Sequence, residues 1–414
     1  MTNFVLQRYP ALGFPRYRKF WFASLASVGA TQLITLAQGW LIFELSGSAL
    51  QLGILGAAVA APNIAMTLIG GVVADRFDKR LILVWTSGTI AALLALLAWL
   101  DYSGAVRVWH VLAVAAAVSL ITGLDWPARV SIFPQLIDRP AFMSAVALNS
   151  IIWQATRMAM PALGGIIIAA SDTWVLFVLG SGGFLTMMAV ISGLHVTTSD
   201  AHHASPLEQI AEGVRYIVNE ELFKWLVLLT FIGMFFASSY VQIMPVFADA
   251  LESGEAGYGY LLSAGGVGAV AGTLLVGGVQ EHARLGLVML GGAALSAIIT
   301  AAFALVAVGG WFFAALLTTF LASVFTSVFM ISSMAVLQLV VPDELRGRVM
   351  GIHAIGYSLI PLGGLFMGAL AEAAGPAQAV LIGCSVFLFA IAGVAMTSAT
   401  IRGLDGRLVA HQDS

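Results

Sequence analysis

Long unbroken apolar runs dominate the chain, and polar residues gather in short clusters between them. A helix needs about 20 mostly apolar residues to cross the hydrocarbon of a bilayer. Twelve runs reach that length, over about 20–44, 49–74, 81–100, 107–127, 143–170, 173–194, 223–247, 256–278, 285–308, 310–333, 349–371 and 376–400. Segments such as 285–308 are apolar on every face. Barrel strands instead alternate in polarity over about ten residues. The pattern therefore predicts an all-α membrane protein with twelve transmembrane helices.

The longest interruption, 195–222, opens with His195, contains His202, His203 and Pro206, and reads as helix from Leu207. Leu207, Ile210, Val214 and Ile217 recur at helical spacing, with Glu208, Glu212 and Arg215 elsewhere on the wheel. That is the pattern of a helix lying in the membrane interface. The expected organisation is an N-terminal six-helix bundle over 1–194, a cytoplasmic linker with an amphipathic helix over 195–222, and a C-terminal six-helix bundle over 223–414. The halves repeat weakly: Pro161, Gly164 and Gly165 in the fifth run are echoed by Pro361, Gly363 and Gly364 in the eleventh. Duplicated six-helix halves characterise secondary transporters, whose binding site lies between the halves near the midplane.

Composition narrows the function. The chain is 60% hydrophobic and 9% charged, where a soluble domain carries about 25% charge, so a water-soluble enzyme is excluded. Lys and Arg total 18 against 21 Asp and Glu, and phosphate backbones need a basic excess, so no nucleic-acid partner is expected. The single cysteine, Cys384, permits neither a disulfide nor a cysteine-based metal site within the chain. No phosphate-binding Gly-x-x-x-x-Gly-Lys-Ser/Thr loop and no His-x-x-x-His spacing occurs, so neither ATP, a cofactor nor a metal is expected. With both ends on one side, 16 of the 18 cationic residues fall on that side; Arg107 lies opposite and Arg157 within a span. This bias predicts cytoplasmic termini. The first run is too long for a cleavable signal, so it is expected to remain.

The densest polar cluster, Gly70-Gly71-Val72-Val73-Ala74-Asp75-Arg76-Phe77-Asp78-Lys79-Arg80, separates the second and third runs. Its glycines allow close helix packing, Asp75 can accept from an arginine or a helix N-terminus, and Arg76, Lys79 and Arg80 hold the loop in the cytoplasm. Arg157 lies midway through the fifth run. A charge there should face the bundle interior or water and have a partner, and the nearest carboxylate along the chain is Asp125. Asp125 is either a proton carrier with a pKa raised by desolvation or a structural partner of Arg129 at i+4. Glu44 and Glu372 end the first and eleventh runs, as rim residues or as gates.

The 70–80 cluster closely resembles the signature loop of the major facilitator superfamily. Arg157-Met-Ala-Met-Pro161-Ala-Leu-Gly164-Gly165 is similar to that superfamily's antiporter motif, with Met160 where the motif usually has glycine. Leu45-Ser46-Gly47-Ser48-Ala49, Pro127-Ala128-Arg129, Ala147-Leu148-Asn149-Ser150 and Pro342-Asp343-Glu344-Leu345-Arg346-Gly347-Arg348 look like the branch that includes the enterobactin exporter and macrolide efflux proteins. The resemblance implies the two-bundle major facilitator fold and a conformational latch at Gly71, Asp75, Arg76, Lys79 and Arg80. It implies charge coupling at Asp125, Arg157 and Glu44, and a fifth helix facing the eighth through Pro161, Gly164 and Gly165. Spans one, four, seven and ten would line the cavity, with Gln32, Thr35, Gln38, Tyr240, Gln242, Phe320, Ser323 and Thr326 facing substrate; Trp153 of span five is a further candidate. It implies proton-driven export of a small siderophore- or drug-like amphiphile by a monomer in the bacterial inner membrane. Nutrient import is the rival reading. The usual antiporter arginine of span four is absent, which leaves that branch of proton coupling without its residue.

Overall fold

The computed structural model describes residues 8–76, 78–194, 206–277 and 284–405, and their side chains except those of 67–76, 126–127, 206–211 and 343. Twelve helical segments are long and apolar enough to cross a membrane, and no strand occurs among the described residues. The first six spans are α1 (Pro15–Ser46), α2 (Ala49–Arg76), α3 (Lys79–Tyr102), α4 (Val108–Ile132), α5 (Phe142–Ala170) and α6 (Thr173–Ser192). The amphipathic segment forms α7 (Pro206–Asn219). Span seven is composite: α8 (Glu221–Ile232) passes through a π turn (Gly233–Ala237) and a 3₁₀ stretch (Ser238–Ile243) into α9 (Met244–Ala250). Then follow α10 (Gly254–Val276), α11 (Leu285–Val308), α12 (Phe312–Val340), α13 (Asp343–Ala374) and α14 (Pro376–Thr397), with the short α15 (Ala399–Arg402) last.

Local chemistry sets several ends. The Asp78 carboxylate accepts the Arg80 backbone N–H at 2.8 Å and caps α3. Asp172 caps α6 by accepting the Thr173 N–H at 2.6 Å. Such caps satisfy N–H groups that have no partner within the helix. Gly375, at φ 98°, joins α13 to α14, and Pro376 starts the next helix. Only glycine adopts that φ without strain, and proline at the first helical position loses no bond.

Two compact units result: Met1–Ser46 with Ala61–Pro206, and Gly47–Ala60 with Leu207–Ser414. In the first, α1 packs on α5 and α6, and α3 packs on α4 and α6. In the second, α12 packs on α10 and α11, and α13 on the π and 3₁₀ stretch of span seven. The boundary falls inside α2. A Cβ added at Gly53 would stand 2.6 Å from the Gly364 carbonyl oxygen, one at Gly56 would overlap the Pro361 carbonyl, and one at Gly368 would overlap that of Ala49. Bare backbones therefore touch where the first turns of α2 meet α13. Glu372 of α13 accepts from the Ser48 hydroxyl at 3.0 Å and the Leu50 N–H at 3.3 Å, closing the α2 N-terminus. The amphipathic α7 also docks on α13: Gly213 lies against Ile352 and Arg348, and Arg348 pairs with Glu212 at 2.7 Å.

Arg80 ties two helices of the first unit. Its Nε donates to the Ile191 carbonyl at 3.3 Å and its Nη2 to that of Ser192, both at the C-terminal end of α6. The last carbonyls of a helix have no intrahelical donor and carry the negative end of its dipole. Arg80→Ala is expected to lower stability by roughly 1 kcal/mol, read as a fall in the unfolding midpoint of the purified protein. An unmoved midpoint would show that water replaces the guanidinium at no cost.

Candidate functional site

The strongest polar constellation joins three helices of the first unit. Asp125 and Arg129 are one helical turn apart on α4, so their side chains share a face. Arg129 donates from Nε and Nη2 to Asp125 Oδ2, each at 3.0 Å. Thr86 of α3 donates to Asp125 Oδ1 at 2.9 Å. Arg129 Nη1 donates to the Ser27 hydroxyl of α1 at 2.8 Å, and Ser27 passes its own proton to the Ser24 carbonyl at 3.2 Å. Asp125 is 5% exposed. The carboxylate thus has each oxygen occupied by a donor, and α1, α3 and α4 are held by one network. A cleft runs beside it, lined by Phe20, Trp21, Ser24, Arg129, Phe133 and Asn149. The Ser24 hydroxyl is buried at the cleft and has no partner among the described residues.

A buried, hydrogen-bonded ion pair resists separation because either charge alone is costly in a low dielectric. Two events can open this one: protonation of Asp125, or arrival of a second anion at Arg129. The arrangement can therefore exchange a proton, or a ligand charge, for an inter-helix tie.

The other sequence-nominated residues divide. Asp125 is bonded to Arg129 and not to Arg157, because α4 brings the nearer cation onto its own face. Arg157 is exposed on α5 and makes no ion pair among the described residues, whereas the adjacent Thr156 and nearby Met160 pack on Gly29 of α1. Glu44 is exposed at the end of α1. Pro161 lies within α5 without breaking it. Gly164 is packed against Leu33 and Leu36 of α1, with a Cβ there 2.7 Å from Leu36, and Gly165 is buried. The close approach at Gly164 is to α1. Gly71, Asp75 and Arg76 belong to the last turns of α2, and their side chains lie outside the described ones; Lys79 begins α3, half-buried.

Of the cavity candidates, Thr35 is exposed, and Gln32, Trp153, Gln242, Phe320, Ser323 and Thr326 are half-buried. Gln38 and Tyr240 are buried, each 5% exposed. Gln38 falls on the inward stripe of α1, and Tyr240 meets the Phe303 ring of α11 at 5.3 Å between centroids. Gln242 lies against Gly364 of α13, and Ser323 against Gly268 of α10. Sequence reasoning missed Ser27 and Thr86. It also passed over His353, which is 2% exposed within α13, with neither ring nitrogen partnered among the described residues. A hydroxyl or imidazole inside an apolar run was the signal available for all three.

A family model described as transmembrane secretion effector matches residues 9–412. The enterobactin exporter EntS of Shigella boydii and that of Escherichia coli are each 24% identical over 281 residues, 67% of this chain. The match spans 66% of the length of these curated relatives, a little under two thirds. Among solved structures, a bacterial homologue of the human lysosomal transporter Spinster, inward-facing and unoccupied, aligns with a TM-score of 0.68 and 16% identity, covering 95% of this chain and 97% of that one. A POT family transporter in complex with 5-aminolevulinic acid aligns with a TM-score of 0.73 and 11% identity, over 96% and 99%. At such identities the likeness establishes a shared fold.

Proposed function

We propose, on the premise that this chain belongs to the transmembrane secretion effector family of major facilitator transporters, that it exports a small amphiphilic molecule, siderophore- or drug-like, from the bacterial cytoplasm in exchange for protons. The observation that carries the reading is the buried Asp125–Arg129 pair bonded to α1 and α3. Protonating Asp125 removes the charge that holds Arg129, and loosens two helices at once. An inward proton gradient can drive that step in one direction.

Arg157 supplies the second element. An exposed guanidinium midway along a spanning helix is tolerated where it meets water, so α5 borders an aqueous path. Along that path Arg157 would meet an acidic or polar group of the solute. Gln32, Thr35, Trp153, Gln242, Phe320, Ser323 and Thr326 would offer the neutral and aromatic contacts an amphiphile needs. Gly71, Asp75, Arg76 and Lys79 would form the latch, with Glu44 at the rim. The export sense follows the EntS relatives, which are named as enterobactin exporters. The reading places the protein in the inner membrane as a monomer with both termini cytoplasmic.

The test uses proteoliposomes loaded with enterobactin in one arm and ethidium in the other, under an imposed pH gradient. Arg157→Ala is expected to reduce flux by roughly tenfold or more, equivalent to about 1.4 kcal/mol. Collapsing the pH gradient and the potential should reduce wild-type flux comparably. Flux indifferent to both would remove proton coupling, and gradient-driven accumulation of either probe in the import direction would reverse the assignment.

A further inference from the structure

We propose that the groove between α3 and α6 binds phosphatidylethanolamine, one acyl chain lying in the groove and the ammonium on Asp101 and Asp172. The groove encloses about 410 Å³. Its floor is made of small residues, Ala95 and Ala98 on α3 and Gly182 on α6. A Cβ added at Gly182 would meet nothing within 4 Å. One wall is Trp99, 62% exposed, and at the polar end Tyr102 and Trp174 meet edge to face at 5.2 Å.

Length identifies the apolar half of the ligand. The lining residues of α6 run from Trp174 to Leu185. At 1.5 Å per residue this is roughly 16 Å, about half the ~30 Å hydrocarbon thickness of a bilayer. The groove therefore spans one leaflet and ends near the midplane, the span of one acyl chain. Tyr102 and Trp174 stand at the headgroup level, where amphipathic rings gather.

Charge identifies the head. Asp101 ends α3 beside the groove, and its Oδ2 accepts from the Thr173 hydroxyl at 2.5 Å. Asp172 accepts from the Thr173 N–H, one residue before Trp174. Neither carboxylate makes a salt bridge among the described residues, so neither has a cationic partner there at the polar mouth of an apolar groove. A primary ammonium offers three N–H donors, as a lysine head does. A choline head has none, and phosphatidylglycerol adds only a negative charge. This inference does not depend on the transport direction or on protons.

The full-length protein, purified in detergent, would be incubated with equal amounts of dioleoyl phosphatidylethanolamine, phosphatidylglycerol and phosphatidylcholine, and its retained lipid counted by native mass spectrometry. The wild type is expected to keep phosphatidylethanolamine several-fold over the other two. Gly182→Leu fills open space, so it should keep the wild-type unfolding midpoint and lose most of that lipid. Asp101→Asn with Asp172→Asn should retain lipid but lose the preference among heads. Equal retention of the three lipids by the wild type overturns the proposal, as does preference for phosphatidylglycerol or undiminished phosphatidylethanolamine on Gly182→Leu. Should Gly182→Leu not be isolated folded, quenching of wild-type tryptophan fluorescence by acyl-brominated phosphatidylethanolamine decides instead. Quenching reduced by Trp99→Phe supports the site, and quenching unchanged by Trp99→Phe overturns it.

Discussion

Asp125→Leu is expected to destabilise the protein by about 3–5 kcal/mol and to abolish transport. The stability loss comes from the partner left behind. Among the described residues Arg129, its side chain 11% exposed, would keep only the Ser27 hydroxyl, and an uncompensated buried charge costs that much. Asp125→Leu combined with Arg129→Met removes both charges and keeps the apolar volume. Such replacement of a buried pair is often neutral or stabilising, so most of the lost stability should return while transport stays absent. Asp125→Asn keeps the shape and one acceptor, and should fold better than the leucine variant but lose its response to a pH gradient. Chemical unfolding of the two single variants and the double variant closes the cycle. A coupling energy near zero would mean that the pair does not hold the network, and the proton-exchange argument would fall with it.

Spans are properties of local sequence, and the apolar runs located all twelve. Their ends were legible only to the edge of the hydrocarbon. Helix α1 begins at Pro15, ahead of the run, because Arg16, Arg18 and Lys19 continue the same helix beyond its apolar stretch. Helix α13 likewise takes in Glu344, Arg346 and Arg348. The π and 3₁₀ turns of span seven were not legible, since Ser238, Ser239 and Gln242 interrupt the apolar run but polar residues alone do not mark a change of helix type. Within the site, Arg129 could be read as an i+4 partner of Asp125, whereas Thr86 and Ser27 lie 39 and 102 residues from their partners. Which residues meet across helices depends on how each helix is rotated, and uniformly apolar spans hide that rotation. The sequence likewise did not show that Gln38 and Tyr240 are each 5% exposed. Asymmetric packing also moved the compact-unit boundary into α2, because Gly53 and Gly56 present bare backbone to α13.

Gly56→Leu is expected to separate the first turns of α2 from α13 and to reduce transport by roughly tenfold or more, about 1.4 kcal/mol or above at the limiting step. The new side chain would occupy the space of the Pro361 carbonyl. Backbone cannot yield there as a flexible side chain would, and overpacking of this kind costs about 1–3 kcal/mol. The cost falls only on the conformer in which α2 and α13 touch, so the variant should still insert and fold. Glu372→Ala removes a cap from Ser48 and Leu50 without filling space, and should cost only about 1 kcal/mol. Ser48→Cys reports the difference through its rate of reaction with a membrane-impermeant maleimide. The native Cys384 is 1% exposed and contributes little background. Labelling should quicken most in Gly56→Leu and modestly in Glu372→Ala, in the same order as the loss of transport. If Gly56→Leu labels and transports as the parent does, the glycine contact is packing alone and plays no part in the transport cycle.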